Sequence, residues 1–193
     1  MSSAGLTLFA TALGHCAVAW NDVGLTGVWL PDVSAARLRS RLLRRLPTLS
    51  EEAPPSTVAA AIASMQRLLD GERVDLLDIG LDESPLSTFD RSVYAAARAI
   101  APGRVITYAT LAAQVGGVAS PRSIGQALGR NPFPIVVPCH RIVAAGGEMG
   151  GFSAPGGAAT KRRLLTIEDA RLDLDGAADL FDSREDAEGA APA

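Results

Sequence analysis

NPFPIVVPCHR, residues Asn131–Arg141, is the segment from which the rest of this sequence is best understood. It places Cys139 directly before His140, in a chain that has only two cysteines and two histidines. Pro134 and Pro138 fix the backbone on the way into this pair, and the β-branched residues between them should anchor the loop in a core. A thiol next to an imidazole is a usual way to activate a nucleophile. Cys139 is therefore a candidate nucleophile; the alternative is an inert buried thiol beside a structural histidine.

The segment ASPRSIGQALGRNP, residues 119–132, predicts a short helix just before this loop. Ser120 is a natural N-cap, Pro121 suits the first helical position, and Asn131-Pro132 ends the helix. Arg122 and Ser123 should lie on its surface, and glycine at 125 costs about 1 kcal/mol inside a helix. Close approach to another surface would compensate, and small residues beside one long arginine suit a DNA minor groove. The alternative is that Gly125 packs against a neighbouring helix.

The pattern predicts a mostly helical second unit from about residue 86. We expect a helix that has Ser87 or Thr88 as its N-cap and ends before Pro102-Gly103, and a second helix over residues 107–117, where glycines end it. This second helix and the one beginning at Pro121 resemble a helix-turn-helix.

The first 85 residues predict a small α+β unit. Three short strands, two helices and a returning strand are expected, over residues 6–13, 15–21, 25–31, 33–46, 56–71 and 74–80. No chemical motif is found among them. The fold class predicted for the chain is therefore α/β (α+β).

Charge is distributed unevenly along the chain. Residues 86–168 contain 9 basic and 3 acidic residues, a balance of +6, although the whole chain has a net charge of −3. The residues after Glu168 have a balance of −6, with little to bury, and we expect disorder there. A basic segment around the Cys-His pair is compatible with a nucleic-acid partner.

Cysteine spacing and hydropathy exclude several classes. The two cysteines lie far apart and form no CxxC pair, so neither a disulfide framework nor a zinc site is predicted. His15 and Cys16 are interpreted as strand residues, not metal ligands. The N-terminus has no basic region typical of a signal peptide, and no apolar run approaches the roughly 20 residues that span a bilayer. We expect a cytoplasmic protein with no metal, no cofactor and no membrane partner.

Several motifs together resemble the O6-alkylguanine-DNA alkyltransferases, also called methylated-DNA–protein-cysteine methyltransferases. The motifs, in order, are GRVITYATLA, RSIGQALGRNP, PIVVPCHRIV, GGF and KRRLLTIE, between residues 103 and 168. The resemblance implies a ribonuclease-H-like N-terminal domain (1–85), a winged-helix-like DNA-binding alkyltransferase domain (86–169) and an acidic tail (170–193). It also implies a monomer that acts on double-stranded DNA carrying O6-alkylguanine, with O4-alkylthymine as a second candidate substrate.

The resemblance assigns roles to individual residues. Cys139 would accept the alkyl group, His140 would act through a water as its base, and Glu168 would orient the imidazole. The DNA and base contacts would come from seven residues: Tyr108, Arg122, Ser123, Gly125, Asn131, Ile142 and Ser153. Among them, Arg122 would fill the space left by the flipped nucleotide, and Tyr108 would donate to guanine N3. Ile142 and Ser153 would act through their backbone carbonyl and N–H.

Two departures and three alternatives accompany this interpretation. The segment before the last helix, SAPGGAATK, is about two residues longer than in many members, and Pro121 is an unusual helix start. A related damage-binding protein would flag the lesion without transfer, although such proteins lack the acceptor cysteine. A helix-turn-helix regulator would show no thiol chemistry, and a thiol hydrolase would turn over.

Overall fold

The computed structural model describes residues 4–172 and has a mixed helix and sheet fold. Three antiparallel strands form the first sheet in the order β1 (Gly5–Thr11), β2 (Gly14–Trp20) and β3 (Leu25–Trp29), which confirms the predicted meander. Because side chains alternate along a strand, this sheet has two apolar faces. Leu8, Ala17 and Trp29 are partners across one face, and Phe9 and Cys16 face the other side.

One helix covers each face of this sheet. Helix α1 (Ala35–Arg45) buries Leu38 and Leu42, which form a cluster with Ala17. Helix α2 (Ser56–Leu69) packs on the opposite face, where its buried residues join the main core with Phe9 and Cys16. Both predicted helices are confirmed, and their apolar spacing explains their positions.

The strand predicted over residues 74–80 is wrong. Leu76 and Ile79 are buried, but their backbone forms no strand. Instead, the Arg98 guanidinium takes the place of a neighbouring strand as hydrogen-bond donor. It donates to the carbonyls of Leu76 and Ile79 at 2.8 and 2.9 Å, and to that of Leu77 at 2.7 Å. These carbonyls are therefore satisfied by a side chain, and a periodic apolar pattern alone could not distinguish this from a sheet ladder.

Three helices form the centre of the second half. They are α3 (Thr88–Arg98), α4 (Tyr108–Val115) and α5 (Pro121–Gly129). The predicted N-cap of α5 is confirmed: the Ser120 side chain accepts from the N–H of Ser123, and the Ser123 hydroxyl accepts from the N–H of Ser120. The buried Tyr94 hydroxyl on α3 donates to the Ala127 carbonyl at 2.9 Å and fixes α5 against α3.

A small parallel sheet, not predicted from the sequence, completes this half. Its strands lie in the order β5 (Ile142–Val143), β4 (Arg104–Thr107) and β6 (Arg171–Leu172). The tail was expected to begin at Ala170, but Ala170 is buried and the next two residues pair with β4, so the ordered chain continues further than expected. The remaining expectation for the tail, residues 173–193, lies outside the described residues.

Helix α6 (Gly157–Ile167) follows the Cys-His loop in the chain and precedes β6. The two halves meet where the Val28 N–H on β3 donates to the Pro132 carbonyl at 2.8 Å, next to the Cys-His loop. Between residues 4 and 172, no helix is both long and apolar enough to cross a membrane.

Candidate active site

Asn131 closes the loop that leads to Cys139. Its side-chain carbonyl accepts from the Phe133 N–H at 2.9 Å, and its amide donates to the Val137 carbonyl at 2.9 Å. Ile135 between them has φ 77°, which is unfavourable for a β-branched residue. Residues 135–137 are buried, as predicted. Burial and the Asn131 clamp therefore hold a strained backbone immediately before the cysteine.

Cys139, His140 and Arg141 form a 3₁₀ turn, and their three side chains point in different directions. With about three residues per turn, neighbouring side chains point roughly 120° apart. Cys139 is half-buried and lines a cavity, whereas His140 and Arg141 are buried. Sequence adjacency thus puts the thiol and the imidazole side by side without making them direct partners.

His140, Arg141 and Glu168 form a buried charged cluster behind the cysteine. The Glu168 carboxylate lies 2.9 Å from His140 Nε2, and it accepts from both Nε and Nη2 of Arg141 at 2.8 Å. Arg141 Nη1 also donates to the Ile100 carbonyl at 2.6 Å. Burial would raise the pKa of Glu168, but the hydrogen bonds from His140 and Arg141 and the positive charge of Arg141 outweigh it and hold the pKa far below its ordinary value.

Burial keeps His140 neutral. Burial lowers the pKa of His140 below its ordinary value, although Glu168 opposes this effect. A neutral imidazole that faces a carboxylate with Nε2 carries its proton there, so Nδ1 is left as the basic nitrogen. Nδ1 has no hydrogen-bond partner within the part of the protein that the structure describes. His140 is therefore prepared to accept a proton.

Two side chains lower the pKa of the Cys139 thiol, but burial has the larger, opposite effect. Desolvation raises this pKa above its ordinary value, against a hydrogen bond with the Asn131 side chain and the positive charge of Lys161. Cys16, buried in the first sheet, has its pKa raised to about 11, mainly by burial. Cys139 differs from Cys16 because a cation and a polar amide lie beside it.

Lys161 is a buried cation that the sequence analysis missed. Its Nζ donates to the carbonyls of Ile142, at 2.6 Å, and Met149, and it lies 5.9 Å from the centre of the Tyr108 ring. Burial lowers the pKa of Lys161 to about 8. Residues 161, 164 and 165 of α6, together with its C-cap residue 168, have the spacing of one buried helix face. A lysine on that face was the available signal.

A cavity of 610 Å³ opens on Cys139. Tyr108, Gly125 and Ser153 line it, from α4, α5 and the glycine-rich segment before α6. The Tyr108 hydroxyl lies 3.4 Å from the Gly151 carbonyl. A Cβ built on Gly125 would have no neighbour closer than Tyr108 Cε1 at 3.9 Å. Gly125 is half-buried beside Tyr108 of the neighbouring helix α4, and there is room for a Cβ, so both the close approach of DNA and packing against α4 stay open as reasons for this glycine.

Four other predicted site residues do not line this cavity: Arg122, Ser123, Asn131 and Ile142. Arg122 is exposed on α5, and the Ser123 hydroxyl is used in the helix cap. Ile142 is buried, and its carbonyl already accepts a hydrogen bond from Lys161. The structure thus brings Cys139, Tyr108, Gly125 and Ser153 around one cavity, with His140 and Glu168 behind it. Within residues 4–172, no group of three or more His, Cys, Asp or Glu side chains could hold a metal ion.

Comparison with known proteins supplies independent information about this arrangement. Residues 88–170 match the family model described as 6-O-methylguanine DNA methyltransferase, DNA binding domain. The chain is 35% identical over 156 residues to the methylated-DNA–protein-cysteine methyltransferase of Methanothermobacter thermautotrophicus, with 81% of this chain and 80% of that protein covered. It is also 35% identical over 154 residues to a DNA base-flipping protein of Thermus thermophilus, covering 78% of this chain and 99% of that protein.

Solved structures show the same relationship. A crystal structure of the Mycobacterium tuberculosis O6-methylguanine methyltransferase is similar with a TM-score of 0.68 at 26% identity, covering 86% of this chain and 93% of that chain. A crystal structure of Mycobacterium tuberculosis OGT in complex with DNA has a TM-score of 0.64 at 25% identity, covering 86% of this chain and 92% of that chain.

Proposed function

The chain belongs to the methylated-DNA–protein-cysteine methyltransferase family, and we propose that it repairs DNA directly by moving the alkyl group from O6 of guanine onto Cys139. The observation that carries this proposal is the position of Cys139, at the wall of a 610 Å³ cavity with the His140–Glu168 pair behind it. A cysteine that is only structural would need neither the cavity nor the adjacent base.

The proposed chemistry begins with removal of the thiol proton. Glu168 holds the Nε2–H of His140, so Nδ1 takes the proton of Cys139 through a bridging water; a buried Nδ1 needs such a partner. The thiolate then attacks the alkyl carbon in line with its bond to O6. The C–S bond forms, the C–O6 bond breaks, and its electron pair remains on guanine. Tyr108 donates a proton to N3 and recovers one from solvent.

The product explains why the protein is used once. A thioether is not cleaved by water under mild conditions, so Cys139 stays alkylated and each molecule transfers one group. The reaction needs no cofactor, because the thiolate is the nucleophile and guanine is the leaving group.

We propose that α5 and Tyr108 flip the damaged nucleotide out of the duplex. A stacked guanine cannot reach Cys139, and flipping it costs a few kcal/mol, less for a weakened pair. We assign α4 and α5 to a winged-helix-like helix-turn-helix in the minor groove, where the exposed Arg122 takes the place of the flipped base and Gly125 allows close approach. Ser123 would contact the backbone through its helix-start position.

The remaining contacts hold the flipped base. Asn131 links α5 to the cysteine loop, and Ser153 would offer its N–H near O6. The Ile142 carbonyl has a second lone pair besides the one that Lys161 occupies, so it can still accept from the guanine edge. We also propose the division into a ribonuclease-H-like domain (1–85), an alkyltransferase domain (86–169) and an acidic tail (170–193), in a cytoplasmic monomer.

One labelling experiment tests the proposal. The protein is incubated with a duplex containing O6-methylguanine labelled on its methyl carbon, and the labelled residue is identified by peptide mass spectrometry. We expect one label per protein, on Cys139, and none in the Cys139→Ala variant, which should still bind the duplex. The Cys16→Ala variant is the matched control and should keep transfer, since Cys16 is fully buried in the first sheet and does not line the cavity.

Other outcomes identify the other candidate functions. Binding and flipping without label would match a base-flipping protein, as in the Thermus thermophilus relative. Sequence-specific binding without a preference for the lesion would indicate a regulator. Repeated release of the methyl group would indicate a hydrolase. Demethylation by Cys139→Ala would reject the assigned nucleophile.

A further inference from the structure

A second cavity of 480 Å³ also has Cys139 in its lining and extends to residues of the N-terminal half, such as Trp29. It shares Cys139, Phe152 and Ser153 with the first cavity, so the two meet at the thiol. Trp29, Pro134 and Pro155 give it apolar walls. The first cavity is assigned to the flipped guanine, and the proposed function leaves the second without an occupant.

In-line displacement determines what this second cavity faces. The sulfur, the attacked carbon and O6 lie on one line, so everything else attached to that carbon projects sideways from the line at the level of Cys139. A methyl group needs almost no room there. A longer alkyl or benzyl group needs a space that begins beside the thiol, and the second cavity provides one because Cys139 is part of its lining.

The charges around the second cavity are positive. Three arginines line it: Arg41 and Arg45 of α1, and Arg130 after α5. No Asp or Glu is among its lining residues. Arg41 shares Asp32 with Arg37, at 3.3 and 3.7 Å, and Arg130 pairs with Asp90 at 2.8 Å.

Arg45 differs from Arg41 and Arg130, each of which has an acidic partner. It is exposed at the last residue of α1, and no ion pair is recorded for it with another described residue. Its neighbour Arg44 shares the same helix end and is also exposed, but it does not line the cavity. Both arginines can stabilise the C-terminal end of α1, where positive charge is favourable. Only Arg45 also lines the cavity.

We propose that this second cavity receives the O6 substituent and that Arg45 favours substituents ending in a carboxylate, such as carboxyalkyl and carboxybenzyl groups. The inference rests on the proposed function, because it names the substrate class of the same cysteine. The transfer step is unchanged: C–S forms, C–O6 breaks and guanine gains the proton, while the carboxylate end keeps its charge beside Arg45.

The test compares substituents of similar size that differ in charge. Duplexes carrying O6-(4-carboxybenzyl)guanine and O6-(4-carbamoylbenzyl)guanine are reacted with saturating protein, and the first-order rate of transfer to Cys139 is measured for each. The wild-type protein should prefer the carboxylate about threefold to fivefold, as expected for a partly exposed ion pair. The preference should fall towards one at about 0.5 M salt, because the charges are then screened.

Matched variants locate the preference. Arg45→Gln should abolish it, and Arg44→Gln should keep it. Using the ratio of the two rates within each variant cancels any change in DNA affinity. A wild-type ratio near one, or an equal loss in both variants, would overturn the role of Arg45.

Two further substrates separate this inference from the proposed function. O6-methylguanine should be repaired equally by the wild type and both variants. If methyl transfer proceeds but the wild type accepts neither O6-benzylguanine nor its carboxylate derivative, the second cavity does not receive the substituent. If methyl transfer to Cys139 also fails, the proposed function itself is wrong.

Discussion

Replacing Glu168 by glutamine tests the buried cluster behind the cysteine most directly. The Glu168 carboxylate holds His140 Nε2 at 2.9 Å and two nitrogens of Arg141 at 2.8 Å, and it accepts from the Gly103 N–H at 3.3 Å. The side chains of His140, Arg141 and Glu168 are 1%, 5% and 2% exposed. An amide has one acceptor oxygen, and its NH₂ group would face at least one of these donors.

The expected cost follows from the charge that remains. Glu168→Gln leaves the Arg141 guanidinium buried without its counter-charge, and breaking a buried ion pair from one side costs about 3–5 kcal/mol. That is a large part of the roughly 5–15 kcal/mol that stabilises a typical domain. Urea unfolding followed by circular dichroism measures it. Glu148→Gln removes the same charge from an exposed position and should change stability by less than about 0.5 kcal/mol.

The pH dependence provides a second measurement. Because the pKa of Glu168 is lower in the folded state, its contribution is complete above its ordinary pKa of 4.5 and is lost as pH falls below that value. The stability difference between wild type and Glu168→Gln should therefore be largest near neutral pH and shrink in acid. In a double-mutant cycle with Arg141→Met, the two losses should not add, since the double variant contains no unpaired charge.

A cost below about 1 kcal/mol at neutral pH would refute this reasoning, because it would mean that Arg141 finds another partner or water when the carboxylate is lost. Transfer activity should also fall in Glu168→Gln, since an amide does not fix the tautomer that leaves His140 Nδ1 basic. If Glu168→Gln loses stability but keeps full activity, the ion pair has a structural role only, and Glu168 does not belong to the proposed relay.

Three further changes have defined outcomes. Lys161→Met should slow transfer at neutral pH about tenfold and move the pH–rate profile upward, because the cation that lowers the Cys139 pKa is gone; Arg162→Met, at an exposed position of α6, should do neither. Arg122→Ala should slow repair of duplex DNA about tenfold or more but leave the reaction with free O6-benzylguanine unchanged, since only the duplex requires a nucleotide to be flipped; equal slowing of both would contradict its role. Ser120→Ala should reduce the free energy of unfolding by about 1 kcal/mol, measured in urea, because it removes the N-cap of α5.

Local signals were sufficient to predict the helices around the site. Ser120 and Pro121 alone predict where α5 begins, and in the structure Ser120 is the N-cap and Pro121 is the first helical residue. The small parallel sheet was missed because its strands are two to four residues long, too short for an alternating pattern to be recognised. The segment over residues 74–80 was assigned wrongly for the opposite reason: it has an apolar pattern, but Arg98, distant in sequence, satisfies its carbonyls.

The site itself was predictable only in part. The motifs predicted Cys139, His140 and Glu168 as site residues. The Arg141–Glu168 ion pair and the buried Lys161 depend on contacts between segments about 20 to 30 residues apart, which the sequence does not show. The sequence places Cys139 and His140 next to each other and does not give their directions. The 3₁₀ turn gives them, because it sends the thiol to the cavity and the imidazole to the core.

The environment of Cys139 fits a nucleophile that can be used only once. Burial keeps the pKa of its thiol above the ordinary value, even with Lys161 and Asn131 acting in the other direction. A thiol in this state is mostly protonated at neutral pH and reacts slowly with oxidants and other electrophiles. The positive charge of Lys161 lowers this pKa and so favours the thiolate, and in the proposed relay His140 accepts the proton. For a protein that is consumed by its own reaction, a thiol kept protonated until a substrate fills the cavity is worth more than a thiolate that is always present, because every unproductive reaction of a free thiolate would remove one molecule from repair.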